Sequence, residues 1–143
     1  MICIVIEDEP LSANVLKEHI QEVPFLELKE VFHDAIAAMN FLGTNPVDLL
    51  FLDIHLPKLK GLDFLRSFNF PGQVIITSAH HEYALEGYEL SIVDYLLKPI
   101  SFERFLKAVQ KAHELFTYKN LYKNYETHIS TNTGDEVIFF KSG

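Results

Sequence analysis

Four short apolar runs in this sequence end in residues that can handle charged oxygen. Ile2–Ile6 ends in Glu7-Asp8, Leu49–Leu52 in Asp53, Val74–Ile76 in Thr77, and the run from Ile92 to Leu97 in Lys98. Carboxylates gathered at one place repel unless a hard cation sits among them. Mg²⁺ suits such a site, because it accepts one or two carboxylates, keeps several waters and adds phosphate oxygens. Asp53 can then act as a nucleophile toward phosphorus, with Thr77 and Lys98 as donors to the phosphoryl oxygens. Taken alone, Asp53 reads equally well as a loop cap, and Glu9 reads as a solvated helix start. The joint placement carries the chemistry.

That placement depends on the elements. Leu49–Leu52 is too short for a lone helix and apolar throughout, which suits a central strand buried on both faces of a parallel sheet. The runs at Ile2–Ile6, 73–77 and 92–97 have the same character, while 25–32 alternates with charges and suits an edge. Between them lie helical patterns: Leu11, Val15, Leu16, Ile20 and Val23 after Pro10; about 34–42, stopped by Gly43; 62–68 after Gly61; and 80–89, weakened in the middle by Gly87. The last carries Phe102, Phe105, Leu106, Val109 and Phe116 on one side. Strands alternating with helices predict an α/β fold with a parallel sheet and right-handed crossovers. The known doubly wound order that groups the charged strand ends is the flavodoxin-like (βα)5 three-layer sandwich with parallel sheet order 2-1-3-4-5. In that order strands one, three, four and five are neighbours. Acids ending strands one and three are then about 4.8 Å apart, and Lys98 starts roughly 10 Å from Asp53 at the backbone, a gap its stem can largely close.

Composition narrows the classes. The chain has 143 residues, 48% hydrophobic, with a net charge of −8, which speaks against nucleic-acid binding by this stretch. Cys3, the single cysteine, cannot form an internal disulfide and reads as a core residue. Ile2–Ile6 is too short for a signal peptide or membrane span and lacks a basic flank, so no membrane association and a cytoplasmic location are expected. The adjacent His80-His81 pair reads as solvated loop, since sequence neighbours do not share a helix face.

These residues resemble the receiver domain of two-component response regulators from Ile2 to about Phe116. The Glu-Asp pair, Asp53 with Leu56-Pro57 and Gly61, Thr77, and Asp94-Tyr95-Leu96-Leu97-Lys98-Pro99 stand in the family's order and spacing. The resemblance implies that Asp53 accepts a phosphoryl group from a sensor histidine kinase. It implies Asp8 as a direct Mg²⁺ ligand, Glu7 as a water-mediated one, and the His55 backbone carbonyl beside Asp53. It makes Thr77, Lys98 and Tyr95 the switch residues and implies a cis Lys98-Pro99 bond. Glu7 stands where the family more often has Asp, and His55 and Ala79 occupy positions that tune dephosphorylation.

The stretches 83–89 and 93–100 resemble more narrowly the LytTR type, and 138–143 resembles the opening of its DNA-binding domain. The expected organisation is a receiver domain over 1–117, a linker or helical extension over 118–136, and the start of a truncated DNA-binding domain over 137–143. DNA contact is expected only through that further domain. Phosphorylation is expected to draw Thr77 toward the phosphoryl group and let Tyr95 turn inward. The face of helix four, strand five and helix five would repack and favour a homodimer. Such a chain is a phosphoacceptor with self-dephosphorylation rather than an enzyme. Two rivals share the fold: a mononucleotide binder, which three acids after strand one disfavour, and a pseudo-receiver used only for binding, which the complete set of site residues disfavours.

Overall fold

The computed structural model describes residues 1–132, with side-chain surroundings through residue 126. Strands and helices alternate as β1 (Ile2–Ile6), α1 (Pro10–Gln21), β2 (Glu27–Phe32), α2 (Ala35–Leu42), β3 (Leu49–Asp53), α3 (Gly61–Ser67), β4 (Gln73–Ser78), α4 (Ala84–Glu89), β5 (Asp94–Leu97) and α5 (Phe102–Asn132). The sheet order is β2-β1-β3-β4-β5 and every pair is parallel, as the sequence predicts.

Side chains alternate across the sheet, so each central strand feeds two cores. Cys3, Val5, Leu49, Phe51 and Ile75 face α1 and α5, where Leu16, Ile20, Phe105 and Val109 are buried. Ile4, Ile6, Leu50, Leu52 and Ile76 face α2, α3 and α4, against Ala35, Ala38, Leu62 and Phe64. All five β3 residues are buried, each large apolar one contributing about 1.5–3 kcal/mol. Burial pushes the Cys3 thiol up to about 12, which leaves it an inert core group.

Helix starts follow from capping. Glu9 accepts from the N–H groups of Leu11 and Ser12, with Pro10 opening α1, and Asp34 accepts from Ala37 N–H at 2.8 Å.

Gly43 ends α2 as expected, in the right-handed region (φ −70°), and the Asn45 side-chain amide donates to the Phe41 carbonyl. Other expectations need correction. Residues 80–83 precede α4 as a loop that turns at 82–83, and β5 starts at Asp94 rather than Ile92. Leu11 and Val15 lie on the exposed side of α1, Leu11 being 73% accessible, and Phe102 is partly exposed rather than buried. Gly87 is there for packing. A Cβ on it would meet Ile92 Cδ1 at 2.9 Å and Ile76 Cδ1 at 3.2 Å. The polar stretch after Phe116 continues α5 to Asn132. The strand expected at 137–140, and the domain start assigned to 137–143, lie outside the described residues.

Candidate functional site

The parallel ladders set the chemistry at one edge. Ile6 pairs with Leu52 and Asp53 with Thr77, so Glu7 stands one step past β1, level with Asp53. Thr77 pairs with Leu96, two residues before Lys98. Carboxylate oxygens of Glu7, Asp8 and Asp53 lie within 4.8 Å of one another, with Glu7 and Asp53 buried and Asp8 exposed. Lys98 has closed the gap from its own strand. Its Nζ is 2.6 Å from Glu7 Oε1 and 3.4 Å from Asp53 Oδ1.

One lysine faces three acids, and the electrostatics register the shortfall. Burial, reinforced by Asp53, pushes the Glu7 carboxyl up to about 7 against the opposing pull of Lys98. Burial works against the Lys98 ammonium, yet its pairing with Glu7 and Asp53 raises its pKa. Thr77 is fully buried and its Oγ1 has no hydrogen-bond partner among the described residues. An unmet buried hydroxyl costs about 1–3 kcal/mol. It sits on the Asp53 partner position, where side chains share one face of the sheet. Surplus negative charge, a lone ammonium and an unused hydroxyl fit a hard divalent cation together with an anionic oxygen ligand.

The loop after β3 folds back under this edge. Gly61 N–H donates to the Ile54 carbonyl at 2.9 Å, and a Cβ on Gly61 would come within 2.4 Å of the Asp53 carbonyl oxygen. Only glycine permits that approach. His55, two residues past Asp53, packs its ring edge-to-face on His80 at 5.0 Å and on Tyr83 at 5.5 Å. His80 and His81 are exposed beside Glu82, and Ala79 is exposed as well. The Lys98-Pro99 bond is cis. Tyr95 is already turned inward, 7% accessible, with its hydroxyl donating to the His80 carbonyl.

A family model described as the response regulator receiver domain matches residues 3–110. The chain belongs to this family. Among curated relatives, the transcriptional regulatory protein MalR of Bacillus subtilis is 32% identical over 96% of the chain. YpdB of Escherichia coli is 34% identical over 78% of it, and LytR of Staphylococcus aureus is 31% identical over 78%. These are LytR-type regulators, and the chain covers only 59%, 47% and 46% of their respective lengths. The response regulatory domain of mrkE from Klebsiella pneumoniae superposes with a TM-score of 0.77 at 31% identity, over 82% of this chain and 99% of that one. This receiver domain has, among its described residues, no helix long and apolar enough to cross a membrane.

Two features of the receiver domain escaped the sequence. Leu11, Val15, Pro99 and Ile100 line an apolar groove that reaches Glu7 and Lys98. Helical periodicity put Leu11 and Val15 in the core, and nothing in it marks where a helix overhangs the sheet. The second is a structural cluster around Asp94, whose carboxylate takes both Arg104 guanidinium nitrogens at 2.7 and 2.8 Å. The only signal was an acid near the start of an apolar strand, which demands a cation from elsewhere.

Proposed function

We propose that Asp53 accepts a phosphoryl group from a sensor histidine kinase in a cytoplasmic two-component system. Three carboxylates gather at one sheet edge, two of them on Lys98, beside a Thr77 hydroxyl without a partner among the described residues, and that convergence carries the reading. An Asp53 oxygen attacks phosphorus, the phosphorus–nitrogen bond to the donor histidine breaks, and the imidazole leaves with the electron pair. Lys98 and Thr77 donate to the phosphoryl oxygens as charge builds there, the largest kind of contribution in such transfers. Asp8, Asp53 and the His55 carbonyl would hold Mg²⁺, with Glu7 acting through water. The ion neutralises phosphoryl charge when bound. A kinase approaching Asp53 would cover the apolar groove of Leu11 and Val15.

The adduct adds about two negative charges at a buried point. Lys98 then has a stronger partner than Glu7, and Thr77 a partner for its hydroxyl. The shift passes to the face of α4, β5 and α5, where Tyr88, Tyr95, Arg104 and Lys111 already meet. α4 has six residues and is the bistable part. Through this face two copies would pair, placing attached LytTR-type DNA-binding domains side by side to regulate transcription.

Intact-mass spectrometry after treatment with acetyl phosphate and Mg²⁺ tests the reading. A single labile adduct is expected on the parent protein and none on Asp53→Asn. An unlabelled parent, or a fully labelled variant, overturns it.

A further inference from the structure

α5 is longer than the body it packs on. Phe105, Ala108, Val109 and Ala112 are buried, but from residue 117 through 126 every residue is exposed. That stretch is nevertheless not polar all round. Leu115, Tyr118, Leu121, Tyr122 and Tyr125 are 43, 69, 65, 47 and 41% accessible. Scattered exposed apolar residues are ordinary, and these are not scattered. Leu115, Tyr118, Tyr122 and Tyr125 fall at intervals of three, four and three, the a and d positions of a heptad, and Ile129 takes the next a position in the sequence.

Residues 117–126 continue α5 with every residue exposed, so this part of the helix gains little from packing on the domain. Covering its apolar side would stabilise it. The heptad identifies the occupant, because knobs-into-holes packing needs a helix with the same repeat, and a second copy supplies one in register. The flanking charges agree. Glu114 stands at g and Lys119 at the following e, the positions that face each other between parallel chains. Symmetry gives that attraction twice. An antiparallel pair would instead face g with g and e with e, like with like.

The stripe is also continuous with the receiver surface. Arg104, Lys111, Tyr118 and Tyr125 succeed one another every seven residues. The line that starts at the Asp94 cluster therefore runs off the domain along the same side of α5.

We propose that residues 115–125 of α5 form a parallel two-stranded coiled coil with a second copy of this chain. The coil spans about 16 Å of helix. It shares with the reading above only that two copies pair, uses different residues, and does not require a phosphoryl group on Asp53. Being short, it gives a weak dimer alone, and it raises the effective concentration at which the receiver faces meet.

Sedimentation equilibrium of the full 143-residue chain, unphosphorylated and up to several hundred micromolar, tests this. The parent is expected to dimerise. Tyr118→Glu with Tyr122→Glu puts charges into the seam and should raise the dissociation constant more than about fiftyfold. Glu114→Lys and Lys119→Glu should each weaken pairing about five- to tenfold. An equimolar mixture of these two restores opposite charges across the seam and should return to within about twofold of the parent. Circular dichroism of the body controls for folding, since all four positions are exposed. A monomeric parent, association untouched by the Tyr118/Tyr122 variant, or single charge variants that the mixture fails to rescue each overturn the coil. A parent that is monomeric until treated with beryllofluoride sinks the coil while leaving the phosphorylation-driven face intact.

Discussion

Glu7 and Asp94 are both buried carboxylates beside strand ends, and their surroundings are opposite. Glu7 shares one lysine with Asp53 and has the Asp8 carboxylate alongside, and burial leaves its carboxyl raised to about 7. Asp94 has more partners than one acid needs. It receives the Tyr95 N–H at 2.8 Å, the Tyr88 hydroxyl at 3.0 Å, both Arg104 nitrogens and Lys111 at 3.3 Å. Burial pushes its pKa up, but these donors outweigh it and hold the carboxyl well below the usual range. Two cations on one acid make a strut between β5 and α5. Three acids on one cation make a site that something else must complete.

Breaking the strut should have the largest effect. Asp94→Ala is expected to cost about 2–3 kcal/mol, roughly a hundredfold in the folding equilibrium, because it takes the acceptor from the Tyr95 N–H and the Tyr88 hydroxyl and removes the paired bonds from Arg104. Urea titration measures it, and a cost under about 1 kcal/mol would remove the contrast. The pH dependence has a fixed sign. The folded pKa of Asp94 is depressed, so its contribution is full above the unfolded value of about 3.9 and disappears as pH falls through the folded one. The stability gap between parent and Asp94→Ala should therefore shrink in acid. A gap that widens in acid contradicts the assignment.

The acid-rich site should respond through ligand rather than stability. Asp8→Asn is expected to weaken Mg²⁺ binding severalfold by calorimetric titration, since Asp8 is the accessible member of the three. Unchanged affinity would count against the cation. Smallest of all, Glu7→Gln in metal-free buffer should shift stability by less than about 1 kcal/mol, and in the favourable direction if either. It removes a charge that burial and Asp53 already oppose. A loss as large as that of Asp94→Ala would mean the two clusters are of one kind.

The sheet and its chemical edge were legible in the sequence because both are written in local terms. A buried parallel strand is a short apolar run, and a run that stops at Glu7, Asp53 or Lys98 advertises where the strand ends. Lys98 could be carried to the acids on strand order alone. The Asp94 partners were not legible, because Arg104 and Lys111 lie on a helix whose rotation about its axis the apolar pattern fixes only on the buried side. The exposure of Leu11 and Val15 was hidden for a related reason: periodicity gives the direction of an apolar face, not how much of it a neighbour covers. Gly87 looked like a weak point in a helix until the positions of Ile76 and Ile92 showed that a methyl group there would have to displace the ends of both side chains. The Tyr95 hydroxyl contact with the His80 carbonyl was not legible either, since a rotamer is not written in the sequence.

The apolar uniformity of β3 has a consequence for how the chain finds its alignment. Leu49, Leu50, Phe51 and Leu52 are buried on both faces, so sliding this strand by one residue would exchange one apolar side chain for another at little cost. The ladder interior therefore carries almost no information about which residue belongs opposite which. The charged terminators supply it. Pulling β3 one step toward its own start would drag Asp53 between the two cores, and the same slip in β1 would bury Glu7 away from Lys98. The acids act as end-stops for strand pairing, and a substitution made to silence phosphoryl chemistry also removes a marker that the folding chain uses to align its sheet.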